Sequence, residues 1–222
     1  MKELSIAELF DLEKTAAKPL LQKLTYPWEA LPLIKDFIIE LGNSLSTDEY
    51  YSPTENVWIA KDATVAPSAV INAPCIIGSG AEIRHCAFIR GSAIVGCGAV
   101  VGNSCELKNC ILFDKVQVPH FNYVGDSILG FKSHMGAGSI TSNVKSDKTK
   151  VTIAFGKEKI ATDLKKMGAI LGDEVEIGCN SVLNPGTVIG KNSNVYPLSS
   201  VRGYIPPRHI FKSANSVTPK NQ

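Results

Sequence analysis

The 222-residue sequence has no surplus of either charge: 23 basic side chains face 21 acidic ones, for a net charge of +2. A near-neutral surface excludes a general nucleic-acid binder, so any recognition of phosphate has to be local. Long apolar runs are missing too, and none approaches the ~20 residues that a membrane helix needs. The opening stretch Met1–Leu20 is amphipathic and carries both charge signs, unlike a secretory leader. Six cysteines are present without one Cys-x-x-Cys pair. They are expected to be reduced thiols of a soluble cytoplasmic protein rather than a disulfide framework, with no membrane partner. Hydrophobic residues make up 44% of the chain, enough to bury a core, which excludes disorder and collagen.

What the sequence does contain is a period of six. From Ile59 every sixth residue is large and apolar: Ile59, Val65, Ile71, Ile77, Ile83, Ile89, Val95, Val101, Leu107 and Phe113. With 44% of residues hydrophobic, ten in one phase arise by chance about 3 times in 10,000. A second column, four residues after the first, holds small residues from Ala63 through Ala69, Cys75, Ala81, Ala87, Ala93 and Ala99 to Cys105. The period returns at Leu171, Ile177, Leu183, Ile189, Val195 and Val201. Neither a 3.6-residue helix nor a plain alternating strand repeats every six residues. A short strand followed by a tight corner does, with the bulky residue inside and the small one where the chain turns. Gly78, Gly96, Gly102, Gly178, Asn184 and Gly190, just after the large residue, suit a corner backbone. The pattern predicts an all-β solenoid, a parallel β-helix. It resembles the hexapeptide-repeat family, and that resemblance implies a left-handed triangular coil of three hexapeptides. The general crossover rule alone would predict the opposite hand.

Three segments fall outside the rhythm. Residues 1–56 read as a helical segment and linker: Trp28, Leu31, Ile34, Phe37, Ile38 and Leu41 recur at helical spacing between Pro27 and Gly42, and the segment is expected to cap the open first coil. Tyr50 to Asn56 is the expected linker. The solenoid then spans 57–205, its rhythm slipping near Pro119. A basic insertion at 142–168 carries seven Lys against three acids, with Val151–Phe155 and Lys159–Thr162 forming a projecting hairpin around Gly156. Residues 206–222, with three prolines, read as an extended tail.

Spacing in a solenoid translates into proximity. Arg90 and Lys108 are 18 residues apart, so an 18-residue coil stacks them roughly 5 Å apart at the backbone. Two stacked cations with no acid between them ask for an anion, and a phosphate would satisfy both. His120, at a corner where the rhythm falters and three residues before Tyr123, is a candidate general base. The run Met135-Gly-Ala-Gly-Ser-Ile-Thr-Ser-Asn143 would let a ligand approach the backbone, whose N–H groups could hold an oxyanion.

These residues carry a closer likeness. Arg90, Lys108, His120-x-x-Tyr123-Val-Gly-Asp126 and Gly136-Ala-Gly138-x-Ile-Thr-x-Asn143 resemble the acetyltransferase domain of the bifunctional N-acetylglucosamine-1-phosphate uridyltransferase/glucosamine-1-phosphate acetyltransferase family. Val118-Pro-His-Phe-Asn-Tyr-Val-Gly-Asp-Ser127 and Lys166-x-Gly168-Ala-Ile-x-Gly172 are similar to its archaeal sugar-phosphate members. The resemblance covers about residues 57–212. It implies a homotrimer that uses acetyl-CoA to acetylate the amine of an amino-sugar 1-phosphate. It further implies His120 as the base, Arg90, Lys108 and Tyr123 at the phosphate, and Asn143 at the sugar. Ala137 and Cys179 would lie at the coenzyme, with Lys148 and Lys150 adding to phosphate binding. His134 stands where bacterial members place a substrate-positioning Asn, and Val144 where they have a Tyr. The family's nucleotidyltransferase domain does not fit into the residues before the coil, so uridylyl transfer is not expected. Two other functions compete. A metal-dependent hydratase would need His85, His120 and His134 to converge, which their spacing does not favour. A scaffold that kept the fold and lost the chemistry would have no use for His120, Tyr123 and Asn143.

Overall fold

In the computed structural model, which describes residues 1–220, the six-residue period becomes three stacks of short parallel strands. The first face holds Val57–Ala60, Cys75–Ile77 and Ala93–Val95, continuing to Ala169–Leu171, Thr187–Ile189 and Tyr204–Ile205. The second runs from Thr64–Val65 through Gln117–His120 and His134–Met135 to His209–Ser213. The third runs from Val70–Ile71 and Phe88–Ile89 to Ile140–Thr141, Val182–Leu183 and Ser200–Val201. Ile77, Ile83, Ile89, Val101, Leu107, Leu183 and Ile189 point inward and are fully buried, and Ala81, Ala87, Ala93, Ala99 and Cys105 fill the corners between them.

Coils of a single length were expected, and the structure departs from that. Ile76 pairs with Ile94, 18 residues on, but Ile94 pairs with Ile111 and Ile111 with Ile128, each 17 on. The cause is one corner. Gly91 and Ser92 both turn the earlier coil with positive φ, whereas Asn109 (φ 50) and then Asp126 (φ 48) make the same turn alone. The strands Glu106–Leu112 and Tyr123–Leu129 run straight through it. The slip therefore lies between Lys108 and Leu112, ahead of Pro119.

The glycines after the large residues are also needed for a different reason than corner dihedrals. None of Gly78, Gly96, Gly102, Gly178 and Gly190 has positive φ; each lies under the next coil. At Gly102 a Cβ would sit 1.6 Å from the Pro119 carbonyl oxygen.

The N-terminal segment does not cap the first coil. It breaks into short turns, a 3-10 turn Pro27–Ala30 and a helix Ile34–Asn43 that buries Ile34, Phe37 and Ile38. This chain lies along the first face. The Phe10 and Phe113 rings are 4.9 Å apart, Asn109 Nδ2 donates to the Leu31 carbonyl (3.2 Å), and the Asp173 N–H donates to Leu9 (3.1 Å). First-face strands such as Ala93–Val95 and Ala169–Leu171 are consequently buried throughout, while strands of the other faces alternate. At the open end the first-face edge is covered instead by the expected linker: Tyr50–Tyr51 pairs antiparallel with Val57–Ala60. At the far end residues 206–220 are not an extended tail. His209–Ser213 completes a coil and Ser216–Pro219 folds back antiparallel on it, so the last strand of the second face is shielded; residues 221–222 lie outside the described residues.

The insertion forms the expected hairpin, Thr152–Phe155 with Glu158–Ala161 around Gly156 (φ 59). It does not project. Val151 and Ile153 are fully buried, the Phe155 ring is 5.0 Å from that of Tyr204, and the Thr152 and Ala154 carbonyls press on Gly186 and Gly203. All six cysteines are free thiols.

Candidate active site

With the first face covered, chemistry is open to the second and third faces and their corners. At the corner between those two faces, main-chain hydrogen bonds stack one position on the next. The Phe121 N–H donates to Asn103 (2.9 Å), Gly138 to His120 (3.0 Å), Asn180 to Ala137 (2.8 Å) and Leu198 to Cys179 (2.9 Å). His120, Ala137 and Cys179 thus occupy one corner on three successive coils. His120 is exposed, and among the described residues its imidazole makes no hydrogen bond. The Ala137 N–H is likewise without a partner among the described residues.

One buried side chain sets this corner. The Asn122 Oδ1 accepts the His120 N–H (3.1 Å), while its Nδ2 donates to the Gly136 and Ser139 carbonyls (2.9 and 3.1 Å). Asn122 is 2% exposed and fixes both the His120 backbone and the Gly-Ala-Gly turn. Gly138 has φ +72, and a Cβ there would lie 2.2 Å from Asn180 Oδ1.

At the end of the third face Arg90, Lys108, Tyr123 and Asn143 come together. The Arg90 N–H donates to Leu107 (2.8 Å), so Arg90 and Lys108 follow one another on adjacent coils. The expectation that no acid lies between them is overturned. Arg90 Nη1 is 2.7 Å from Glu106 Oε1, and Lys108 Nζ is 3.0 Å from Asp126 Oδ2. Alternation along the strand puts Glu106 on the same outward side as Lys108, and the one-residue corner swings Asp126 beneath it. Two cations therefore face two acids, and the cluster is neutral.

Asp126 is its hub, accepting also from Asn109 Nδ2 (2.9 Å) and from Asn143 Nδ2. Asn143 Nδ2 reaches the Tyr123 hydroxyl as well (3.2 Å), which leaves the phenolic proton free to be donated outward. Burial, then the carboxylates of Asp126 and Glu106, raise the Tyr123 phenol above its ordinary range, so it stays a neutral donor. Its ring lies over Gly125, where a Cβ would meet the hydroxyl at 2.4 Å. This close approach accounts for the glycine in Tyr123-Val-Gly-Asp126.

The other expected site residues lie elsewhere. His134 starts a second-face strand one coil after Gln117, its Nδ1 2.8 Å from Glu176 Oε2, and shares no contact with the Tyr123–Asn143 group. It lines a depression of about 410 Å³ with Lys115, Gln117, Lys132 and Glu176. A second depression, about 280 Å³, leads from His134 and Glu176 to Gly178, Cys179 and Pro197, on the Cys179 side of the molecule. Lys150 pairs with Asp163 (2.9 Å) and Lys148 is exposed on the loop after Asn143; neither joins the His120–Ala137–Cys179 corner. Of the three histidines weighed as metal ligands, His85 and His120 share the corner column while His134 is turned to Glu176.

Sequence reasoning missed Glu106, Asn109, Asn122 and Asp126. A signal for Asp126 was available, because it follows Lys108 by the same 18 residues that separate Lys108 from Arg90. Asn122 carried none, since its role depends on a corner whose register the period does not give.

Residues 74–190 match the family model described as the GMPPB C-terminal domain. Among curated proteins, the chain is 36% identical over 170 residues to the Bifunctional protein GlmU of Methanococcus maripaludis, covering 76% of this chain and 41% of that one. It is 26% identical over 230 aligned positions to the Bifunctional sugar-1-phosphate nucleotidylyltransferase/acetyltransferase of Sulfurisphaera tokodaii, covering 96% and 57%. The chain thus spans about half the length of these curated relatives. The solved acetyltransferase domain of PglB from Neisseria gonorrhoeae is 16% identical over 73% of this chain and 56% of its own, with a TM-score of 0.33, an overlay too partial to carry an argument.

Proposed function

The chain belongs to the family described as the GMPPB C-terminal domain, and from that membership we propose that it is an acetyl-CoA-dependent N-acetyltransferase of an amino-sugar 1-phosphate. In this reading it carries no uridylyl transfer, works in the cytoplasm, and assembles as a homotrimer. The printed names of its relatives, one of them a sugar-1-phosphate nucleotidylyltransferase/acetyltransferase, support the substrate class. No helix among the described residues is long and apolar enough to cross a membrane.

The observation that carries the reading is the corner itself. An imidazole and a backbone N–H, both without partners among the described residues, sit on consecutive coils, beside a third face that ends in a phenol, an amide and two cations. The residues fit an acyl-thioester. Gly136 and Gly138 let the next coil close against this turn, since a Cβ would lie 2.7 Å from the Cys179 nitrogen or 2.2 Å from Asn180 Oδ1, and the groove past Cys179 and Pro197 offers a path for a long coenzyme.

Bound acetyl-CoA supplies the activated acyl carbon. As the amine forms its C–N bond to that carbon and the C–S bond breaks, His120 takes the proton from nitrogen and returns it to the departing thiolate. The Ala137 N–H is the donor available to charge growing on the carbonyl oxygen. Tyr123 and the unused donors of Arg90 and Lys108 hold the phosphate, and Asn143, fixed by Asp126, orients the sugar. His134, Cys179, Lys148 and Lys150 belong in this proposal to the outer parts of the substrate and coenzyme paths. Exposed apolar side chains along the third face and its corner (Val70, Phe88, Phe121, Leu198) support burial against neighbouring copies.

The deciding assay is thiol release from acetyl-CoA with glucosamine-1-phosphate or galactosamine-1-phosphate. No turnover with either, nor with nucleotide-linked amino sugars, overturns the function. Light scattering of the eluted protein tests the trimer, and a monomer at micromolar concentration overturns it.

A further inference from the structure

One part of the open surface has no place in the chemistry above. Beyond Asn143 the corner between the third and first faces continues downward: the Ser142 N–H donates to Leu183 (2.8 Å) and Asn184 to Val201 (2.9 Å). Ser142, Asn184 and Arg202 therefore follow one another on successive coils. Against them lies the loop after Asn143, and the two enclose a depression of about 330 Å³. Its lining is polar, with Ser142, Lys145, Ser146, Asp147, Asn184 and Arg202 among it.

Arg202 is the telling member. Arg84 and Arg90 each hold a carboxylate, but among the described residues Arg202 has no ion pair. Its one hydrogen bond runs from Nη2 to Asn184 Oδ1 (3.3 Å). Asn184 is itself anchored, its Nδ2 donating to Ser200 Oγ (3.0 Å) and to the Val201 carbonyl (2.9 Å). The guanidinium is thus oriented by a neutral amide, and the rest of its N–H fork is unused. The acid in the depression does not compensate it. Asp147 accepts from the Thr149 N–H and hydroxyl (3.0 and 2.8 Å) and pairs with Lys145 (3.2 Å). Those bonds, the Thr149 N–H first, hold its carboxyl down at about 2, and its charge cancels that of Lys145. The net charge left over is that of Arg202.

The contrast with the neutral Arg90–Glu106–Lys108–Asp126 cluster points to where an extra anion is best compensated. We infer that the depression between the 142–147 loop and Arg202 is a phosphate subsite, with the Arg202 fork as its principal donor and the Ser142 and Ser146 hydroxyls beside it. Arg202 lies two coils, about 10 Å, along the axis from Ser142. It can therefore serve a second phosphate on a molecule held at Asn143, beyond the one at Tyr123, Arg90 and Lys108, as a nucleotide-linked amino sugar would carry. A phosphate of the coenzyme has the same chemistry. Only the choice between these two sources rests on the acetyltransferase reading.

The test uses inorganic phosphate and the full chain, with binding followed by broadening of the ³¹P resonance. Arg202→Gln is expected to weaken phosphate at least tenfold, Arg202→Lys to restore part of it, and Lys23→Gln, an exposed lysine of the N-terminal segment, to change nothing. Thermal melts confirm that each variant folds. Binding of Arg202→Gln within twofold of the parent overturns the subsite, as does phosphate binding that is lost in Arg90→Gln and kept in Arg202→Gln. This measurement needs no turnover, so it stands or falls independently of the acetyltransferase assay. In that assay, a raised KM for a nucleotide-linked amino sugar in Arg202→Gln with the acetyl-CoA KM fixed is expected. The reverse pattern assigns the same subsite to the coenzyme.

Discussion

Lys108 and Asp126 form an ion pair of 3.0 Å across one coil, the carboxylate 6% exposed and the ammonium 26%. Asn109 and Asn143 donate to the same carboxylate. Removing the acid leaves one charge and two amides half-buried without an acceptor, which costs more than the pair contributes when intact. Asp126→Ala is expected to lower unfolding free energy by about 3 kcal/mol in urea titrations. Asp126→Asn, which keeps an acceptor oxygen, loses less. A change below about 1 kcal/mol for the alanine variant would show that the hub is not structural.

His120 and Asn122 separate chemistry from positioning. The exposed His120 imidazole makes no hydrogen bond among the described residues, so His120→Ala should leave the melting temperature in place while lowering kcat by ~10²–10⁴-fold. Asn122→Ala strips the corner of three hydrogen bonds, two of them fully buried. It should reduce both stability, by about 2 kcal/mol, and kcat, though it touches no reacting atom. Equal melting curves for the two variants would contradict this division.

Two glycines test two different constraints. At Gly102 an added methyl meets the Pro119 carbonyl oxygen at 1.6 Å, and neither backbone can yield without parting two coils. Gly102→Ala should abolish soluble folded protein. At Gly80 nothing lies within 4 Å and only the left-handed backbone, φ +62, opposes a side chain. Gly80→Ala should cost about 1 kcal/mol and leave activity intact. Circular dichroism during urea titration distinguishes the outcomes.

The Tyr204 phenol is pushed up to about 12, by burial first and then by Glu3 and Glu8. The folded state therefore holds this proton more tightly than the unfolded chain, whose phenol titrates near 10. The associated stability is full below pH 10 and is lost as pH rises toward 12. Tyr204→Phe should flatten the decline of unfolding free energy in that alkaline window. An unchanged slope would mean that the phenol is not held by the fold.

The solenoid was legible because its core is written locally: a large residue such as Ile83 and its small companion Ala87 are set four apart, and both are buried. The hairpin was legible for the same reason, its pairing being fixed by Gly156 between two short apolar runs. Long-range packing was not. Nothing near Phe10 announces that its ring will meet Phe113, or that the chain around it will lie along a face rather than across an end. At the candidate site the stacking of Arg90 and Lys108 was readable from type and spacing, and the family resemblance added Tyr123 and Asn143 to them. Their partners were only partly so: Asp126 follows Lys108 by the same 18 residues, whereas Asn109 meets Asp126 only because a one-residue corner shortens that coil to 17.

The blanket that the first forty-odd residues lay over one side of the prism has a bearing on how copies can meet. A three-sided rod with one side taken up by its own chain has two flanks left to offer, and they differ from each other. Contact between unlike flanks closes into a ring where the rotation it imposes closes, and runs on into a filament where it does not. Side-by-side growth into an open layer would need the flank that is already occupied.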